Sequence, residues 1–167
     1  LSGFVSNPME YAEASKVSLY SIADYTWNMD AYSSIASWER ALTELMPEHV
    51  DAFRLFCQHN IDLGPTGHGL RRKNESKAFK QAAETFNAAM ADGYDAAAVK
   101  AMTQEFTAMV DAADELLSST EEPEMMAEIK PWVEVMKLIG QRGQLVMQLH
   151  TLLNKGEEKA FIAAYEQ

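Results

Sequence analysis

A chain of 167 residues, 47% of them hydrophobic, is long enough for one domain with a sizeable core and short for two. Its formal net charge of -11 repels phosphate backbones and anionic headgroups, which argues against nucleic acid and acidic membrane surfaces as partners. The single cysteine, Cys57, allows no intramolecular disulfide, and no apolar run approaches the roughly 20 residues of a membrane span.

The first residues, LSGFVS (1–6), read as extended. Asn7-Pro8 then opens a helix: Asn7 can cap it, Pro8 suits the first helical position, and Glu10 completes a capping box. Along this helix Met9, Ala12, Leu19, Tyr20, Ala23 and Trp27 keep to one broad face. Ile35, Trp38, Leu42 and Leu45 recur at i, i+3, i+7 and i+10, which predicts a second helix. Pro47 is expected to start a third, with Val50, Phe53, Phe56 and Cys57 inward and an end near Asn60.

Three glycines and a proline in GPTGHG (64–69) forbid regular structure there. Arg71, Arg72 and Lys73 follow at once in an otherwise acidic chain. One reading makes His68, Arg71 and Arg72 a contact for an anion or a partner, with Gly admitting backbone N–H groups and Arg supplying a planar donor fork. The other makes the segment a helix connection, with Asn74 capping the next helix.

The fourth predicted helix turns Phe79, Ala82, Ala83, Phe86 and Met90 inward. Gly93 fits its stop and Asp95 the next N-cap. A fifth carries Val99, Met102, Phe106, Met109, Val110, Ala113 and Leu117. STEEPE (119–124) is a polar break, with room for a short helical turn after it. Pro131 is expected to open the longest helix, with Trp132, Val135, Ile139, Val146, Leu149 and Leu153 as its apolar stripe. Gly140 and Gly143 in its middle cost about 1 kcal/mol each relative to Ala, which points to a close helix approach or a kink. Gly156 ends it, and a last amphipathic helix holds Phe161, Ile162 and Tyr165. The fold class is all-α: a multihelical bundle of about six or seven helices with a short extended N-terminal remnant.

Chemistry is hard to find in these residues. There is no nucleophile elbow, P-loop, dinucleotide fingerprint or zinc motif, so no cofactor is expected. His59, Asp62 and His68 could be drawn together around a metal, but their spacing matches no ligand pattern, and no metal is expected. Carboxylates fall on polar helix faces and no two converge as a general acid and base. The aromatic stretch DYTWNMDAY (24–32) could stack on sugar rings, though aromatics at helical spacing are more often core. Cys57, among Phe53, Leu55 and Phe56, reads as a small buried hydrophobe.

The stretch SNPMEYAEASKVSLYSIADYTWN (6–28), continued in SWERAL (37–42) and HNIDLGPTGHGLRR (59–72), resembles the end of the catalytic barrel of family 84 glycoside hydrolases. That family comprises β-N-acetylglucosaminidases, including bacterial O-GlcNAcase homologues and enzymes described as hyaluronidases. The resemblance implies that LSGFVS ends the eighth barrel strand and that the helix to Trp27 is the eighth barrel helix. Residues 28–71 would then be connecting helices and the Gly-rich loop, and 72–167 a post-catalytic helical domain. Asn7 falls at a strand end, where barrel active sites lie, and matches a family residue that binds the sugar's hydroxyls. The family's adjacent Asp-Asp pair, used in a substrate-assisted mechanism, has no counterpart here.

On this resemblance the chain alone is not an enzyme. Its partners would be the catalytic barrel of its parent chain and, in the intact enzyme only, a glycan, and the bundle could also mediate a homodimer. By the same analogy it would be periplasmic or extracellular. Two rivals stand beside this reading: a stand-alone helical module that binds another protein, and a small metal protein built on His59, Asp62 and His68. The barrel reading carries its own check. The first helix should keep an apolar face less buried than those of the other helices.

Overall fold

The computed structural model describes residues 10–60 and 76–166. They form seven α-helices and no strand: α1 (Ala12–Trp27), α2 (Ser34–Leu45), α3 (Val50–His59), α4 (Lys77–Met90), α5 (Ala96–Ser118), α6 (Pro123–Lys155) and α7 (Glu158–Tyr165). A single 3₁₀ turn, Met29–Ala31, joins α1 to α2. The all-α bundle expected from periodicity is therefore the observed fold. The extended remnant 1–6, the Asn7-Pro8 helix start, the 64–69 turn and the Asn74 cap lie outside the described residues.

Helix ends follow capping chemistry, with several shifts from expectation. Asp95 caps α5 as predicted, its carboxylate accepting from the Ala98 N–H at 2.8 Å. Ser76 caps α4, accepting from the Phe79 N–H at 3.1 Å. Gly93 and Gly156 take φ of +127° and +71°, left-handed conformations that end α4 and α6. Pro47 does not start α3. It sits in the turn ahead of it, and the helix begins at Val50. Glu10 lies in an exposed bend ahead of α1. α1 starts at Ala12 behind Tyr11, whose side chain caps nothing. The missing cap comes from α6, where the Glu128 carboxylate accepts from the Ala14 N–H at 2.9 Å.

The centre of the bundle is the α5–α6 pair. Met109, Ala112, Ala113 and Leu116 of α5 meet Met125, Ile129, Val133 and Met136 of α6, and Phe53 and Phe56 of α3 close over them. A second cluster, Val99, Met102 and Met147, packs under Phe79, Phe86 and Met90 of α4.

The longest helix corrects two expectations. It begins at Pro123, so the break and the following turn are shorter than predicted and Pro131 is internal. The helix runs through Pro131 because Met126 and Ile129 before it and Val133 and Met136 after it bury in the same core. Its inward face is also different. Ile129, Val133, Met136, Gly140, Gly143 and Met147 are buried, whereas Trp132, Val135, Ile139, Val146 and Leu153 of the predicted stripe are exposed and Leu149 is half-buried. The glycines decide this. A Cβ at position 143 would come 2.2 Å from the Phe106 ring, and one at 140 would come 2.7 Å from Val110. α5 and α6 can approach this closely only along the edge that carries Gly140 and Gly143. In α2, likewise, Ile35 is exposed while Ser37, Ala41 and Leu42 are buried.

Candidate functional site

The residues that sequence reasoning set out as contacts, Asn7, His68, Arg71 and Arg72, all lie outside the described residues. So do Asp62 and His68 of the hypothetical metal trio. What the structure does place is the surroundings. His59 is turned edge-on to Phe79, ring centroids 5.6 Å apart, and burial pushes its imidazole pKa down. That is the packing role of a histidine at a helix end. Among the described residues no group of three or more His, Cys, Asp or Glu could hold a metal ion. Cys57 packs against the main core, and burial pushes its thiol up to about 12, so it is a poor nucleophile.

An open cleft of about 740 Å³ lies between α1, α2, α3 and α6. Tyr11, Trp38 and Trp132 supply aromatic walls, and Glu128 sits at its side, already engaged with the α1 backbone. Tyr11 and Trp132 meet edge to face at 5.1 Å, which joins α1 to α6 across the cleft. Two of the polar side chains that line it are engaged: the Asn60 side chain donates to the Phe56 carbonyl, and Ser21 and Tyr32 share a 2.7 Å hydrogen bond. Among the described residues that line it, Glu128 is the one carboxylate.

α1 is held to its neighbours by polar contacts more than by burial. Asp24 pairs with Arg40 of α2, and the nearby Ser37 hydroxyl, buried but outside hydrogen-bond geometry, and that guanidinium hold the Asp24 carboxyl below its ordinary range. Tyr20 donates to Glu44 at 3.4 Å. No residue of α1 is fully buried, a property it shares with α4. Ala12 and Ala23 are exposed, Leu19 is half-buried, and Trp27 is 92% exposed. The first helix is under-buried, as expected, but not uniquely so, since α4 buries no residue either. The aromatic stretch 24–32 is not a core segment either: Tyr25 and Tyr32 pack against each other at 5.2 Å, and Trp27 projects alone.

Two family models match this chain side by side. Residues 1–58 match β-N-acetylglucosaminidase. Residues 75–167, more than half of the chain, match the bacterial GH84 post-catalytic domain. The chain belongs to glycoside hydrolase family 84. Within GH84 the longer match is to a non-catalytic helical part. Solved structures agree on the fold. CpGH84D aligns over 98% of this chain at 27% identity with a TM-score of 0.86. CpGH84B aligns over 99% at 22% identity and 0.79. A mutant of Thermobaculum terrenum O-GlcNAc hydrolase aligns over 95% at 23% identity and 0.80. The GH84 chain described here spans 28%, 28% and 33% of those three proteins, respectively. Among its described residues no helix is long and apolar enough to cross a membrane.

Proposed function

We propose that this chain is the helical portion that supports the catalytic barrel of a β-N-acetylglucosaminidase, and that alone it hydrolyses nothing. The tandem order of the two family matches carries this reading, barrel first and post-catalytic helices second. The outward face of α1 supports it as well. Trp27, Ala12 and Ala23 leave apolar side chains exposed where a neighbouring barrel element would cover them. In this reading residues 1–27 are the last barrel strand and helix, 28–71 the connection, and 72–167 the post-catalytic domain. A stand-alone interaction module does not account for the match over 1–58.

The parent enzyme would remove terminal β-linked N-acetylglucosamine by a substrate-assisted, retaining route, with both catalytic Asp residues upstream of this chain. Asn7 would bind hydroxyls of the sugar. His68, Arg71 and Arg72 would contact an anion or a partner segment. Periplasmic or extracellular work on glycans, including a hyaluronidase-type substrate, follows from the same family analogy. The test is an aryl N-acetyl-β-glucosaminide assay on the barrel-bearing parent and on this chain alone. The parent should turn the substrate over and this chain should not, and Asn7→Ala in the parent should raise KM by about tenfold or more. Turnover by this chain alone would overturn the reading.

A further inference from the structure

The start of α1 is built by two distant parts of the chain. Tyr11 stands at its N-cap and forms no side-chain cap bond. The first backbone donors of a helix have no partner within it, and an N-cap side chain ordinarily takes the N–H of the second or third helical residue. Ala14 is that third residue, and its N–H goes to the Glu128 carboxylate of α6 at 2.9 Å. A carboxylate there also sits at the positive end of the α1 dipole. One turn further along α6, Trp132 meets Tyr11 edge to face, ring centroids 5.1 Å apart. Residues four apart share a helix face, so one edge of α6 grips the first turn of α1 by a charged hydrogen bond and an aromatic contact. Tyr20 and Asp24, farther along α1, are tied instead to Glu44 and Arg40 of α2. The α6 edge is a firm anchor, because Met125 and Ile129 on either side of Glu128 are buried in the main core.

We propose that Glu128 is a positioning residue for the sugar site of the parent enzyme, holding the start of α1 and, through it, Asn7. The proposal rests on the reading of Asn7 as a contact to sugar hydroxyls. Asn7 precedes Tyr11 by four residues, and covalent geometry keeps the two within about 14 Å. Barrel sites are assembled at strand ends, so the place where the following helix begins fixes one side of the turn that carries Asn7. A side-chain amide must meet a hydroxyl at hydrogen-bond distance, and a backbone shift of about 1 Å is enough to lose that contact. A cap supplied from the turn itself would move with the turn. A cap supplied from α6 does not, since α6 is held by the core on both sides of Glu128. Without the carboxylate the Ala14 N–H turns to water and the first turn of α1 frays, which loosens the segment that leads into it. Glu128 acts in this way without touching substrate.

The test is kinetics of the barrel-bearing parent on an aryl N-acetyl-β-glucosaminide. Glu128→Ala should raise KM about threefold and change kcat by less than about twofold, the mark of a lost contact that ground state and transition state share. Glu128→Gln keeps an acceptor and should restore most of the parent's KM. Asp95→Ala removes a cap of the same kind from α5, next to Tyr94, which bonds Thr151 at the far end of α6. It should leave KM unchanged, which separates positioning from a general loss of helix stability. Adding Glu128→Ala to Asn7→Ala should raise KM no further, because both act through one contact. An unchanged KM in Glu128→Ala, an equal rise in Asp95→Ala, or full additivity with Asn7→Ala would overturn the proposal, while a KM raised by Asn7→Ala alone would leave the barrel reading standing. If Asn7→Ala itself leaves KM unchanged, the sugar-contact reading fails and the positioning role fails with it.

Discussion

α1 and the α5–α6 pair are neighbours held by different physics. The α5–α6 seam is dry, with Leu116 and Val133 fully buried and Phe106 lying over Gly143. Its stability comes from apolar area and close packing. α1 buries no residue fully and is positioned by an ion pair to α2, a hydroxyl-carboxylate bond and a backbone cap from α6. α1 is directed by polar contacts while its outward apolar face waits for cover. A helix that is oriented before it is buried suits the join between two structural units.

Substitutions can break or sharpen this contrast. The largest effect is expected in the seam, where Leu116→Ala removes a fully buried side chain and should cost about 2–5 kcal/mol in denaturant unfolding. Gly143→Ala comes next. Its new Cβ meets the Phe106 ring, and overpacking should cost about 1–3 kcal/mol despite the gain in helix propensity. Phe106→Leu should recover part of that loss, which separates a clash from a general glycine effect. Glu128→Ala removes the cap at the start of α1 and should cost about 1 kcal/mol, with faster amide exchange at Ala14, while Glu128→Gln keeps an acceptor and most of the protection. Trp27→Ala should change the stability of this chain by less than about 0.5 kcal/mol, since its side chain touches little. In the barrel-bearing parent the same change should be several times more costly. Equal effects in the two would contradict the proposed docking of α1.

Periodicity and cap chemistry were enough to count the helices and to place the Asp95 cap and the Gly93 stop, because those signals are local. The register of α6 was not local. This helix is apolar on two sides, and the stripe through Trp132, Ile139 and Leu153 outweighs the stripe through Val133, Gly140 and Gly143 on any hydropathy scale. Only the Phe106 ring and the Val110 methyl on α5 select the glycine edge, and nothing nearby in sequence announces them. The cap on α1 was equally out of reach of local signals, since it arrives from 114 residues away. For the site, no spacing rule marked Asn7. Its suggested role came from family resemblance, and residues 75–167 match a post-catalytic domain.

The Glu128 cap has one more consequence. It joins a residue within the 1–58 match to one within the 75–167 match. α6 is 33 residues long, a rod of about 50 Å, and Glu128 lies near one end of it. Drawing α1 away from α6 therefore strands the Ala14 N–H without its acceptor, so the two matched stretches share one helix start.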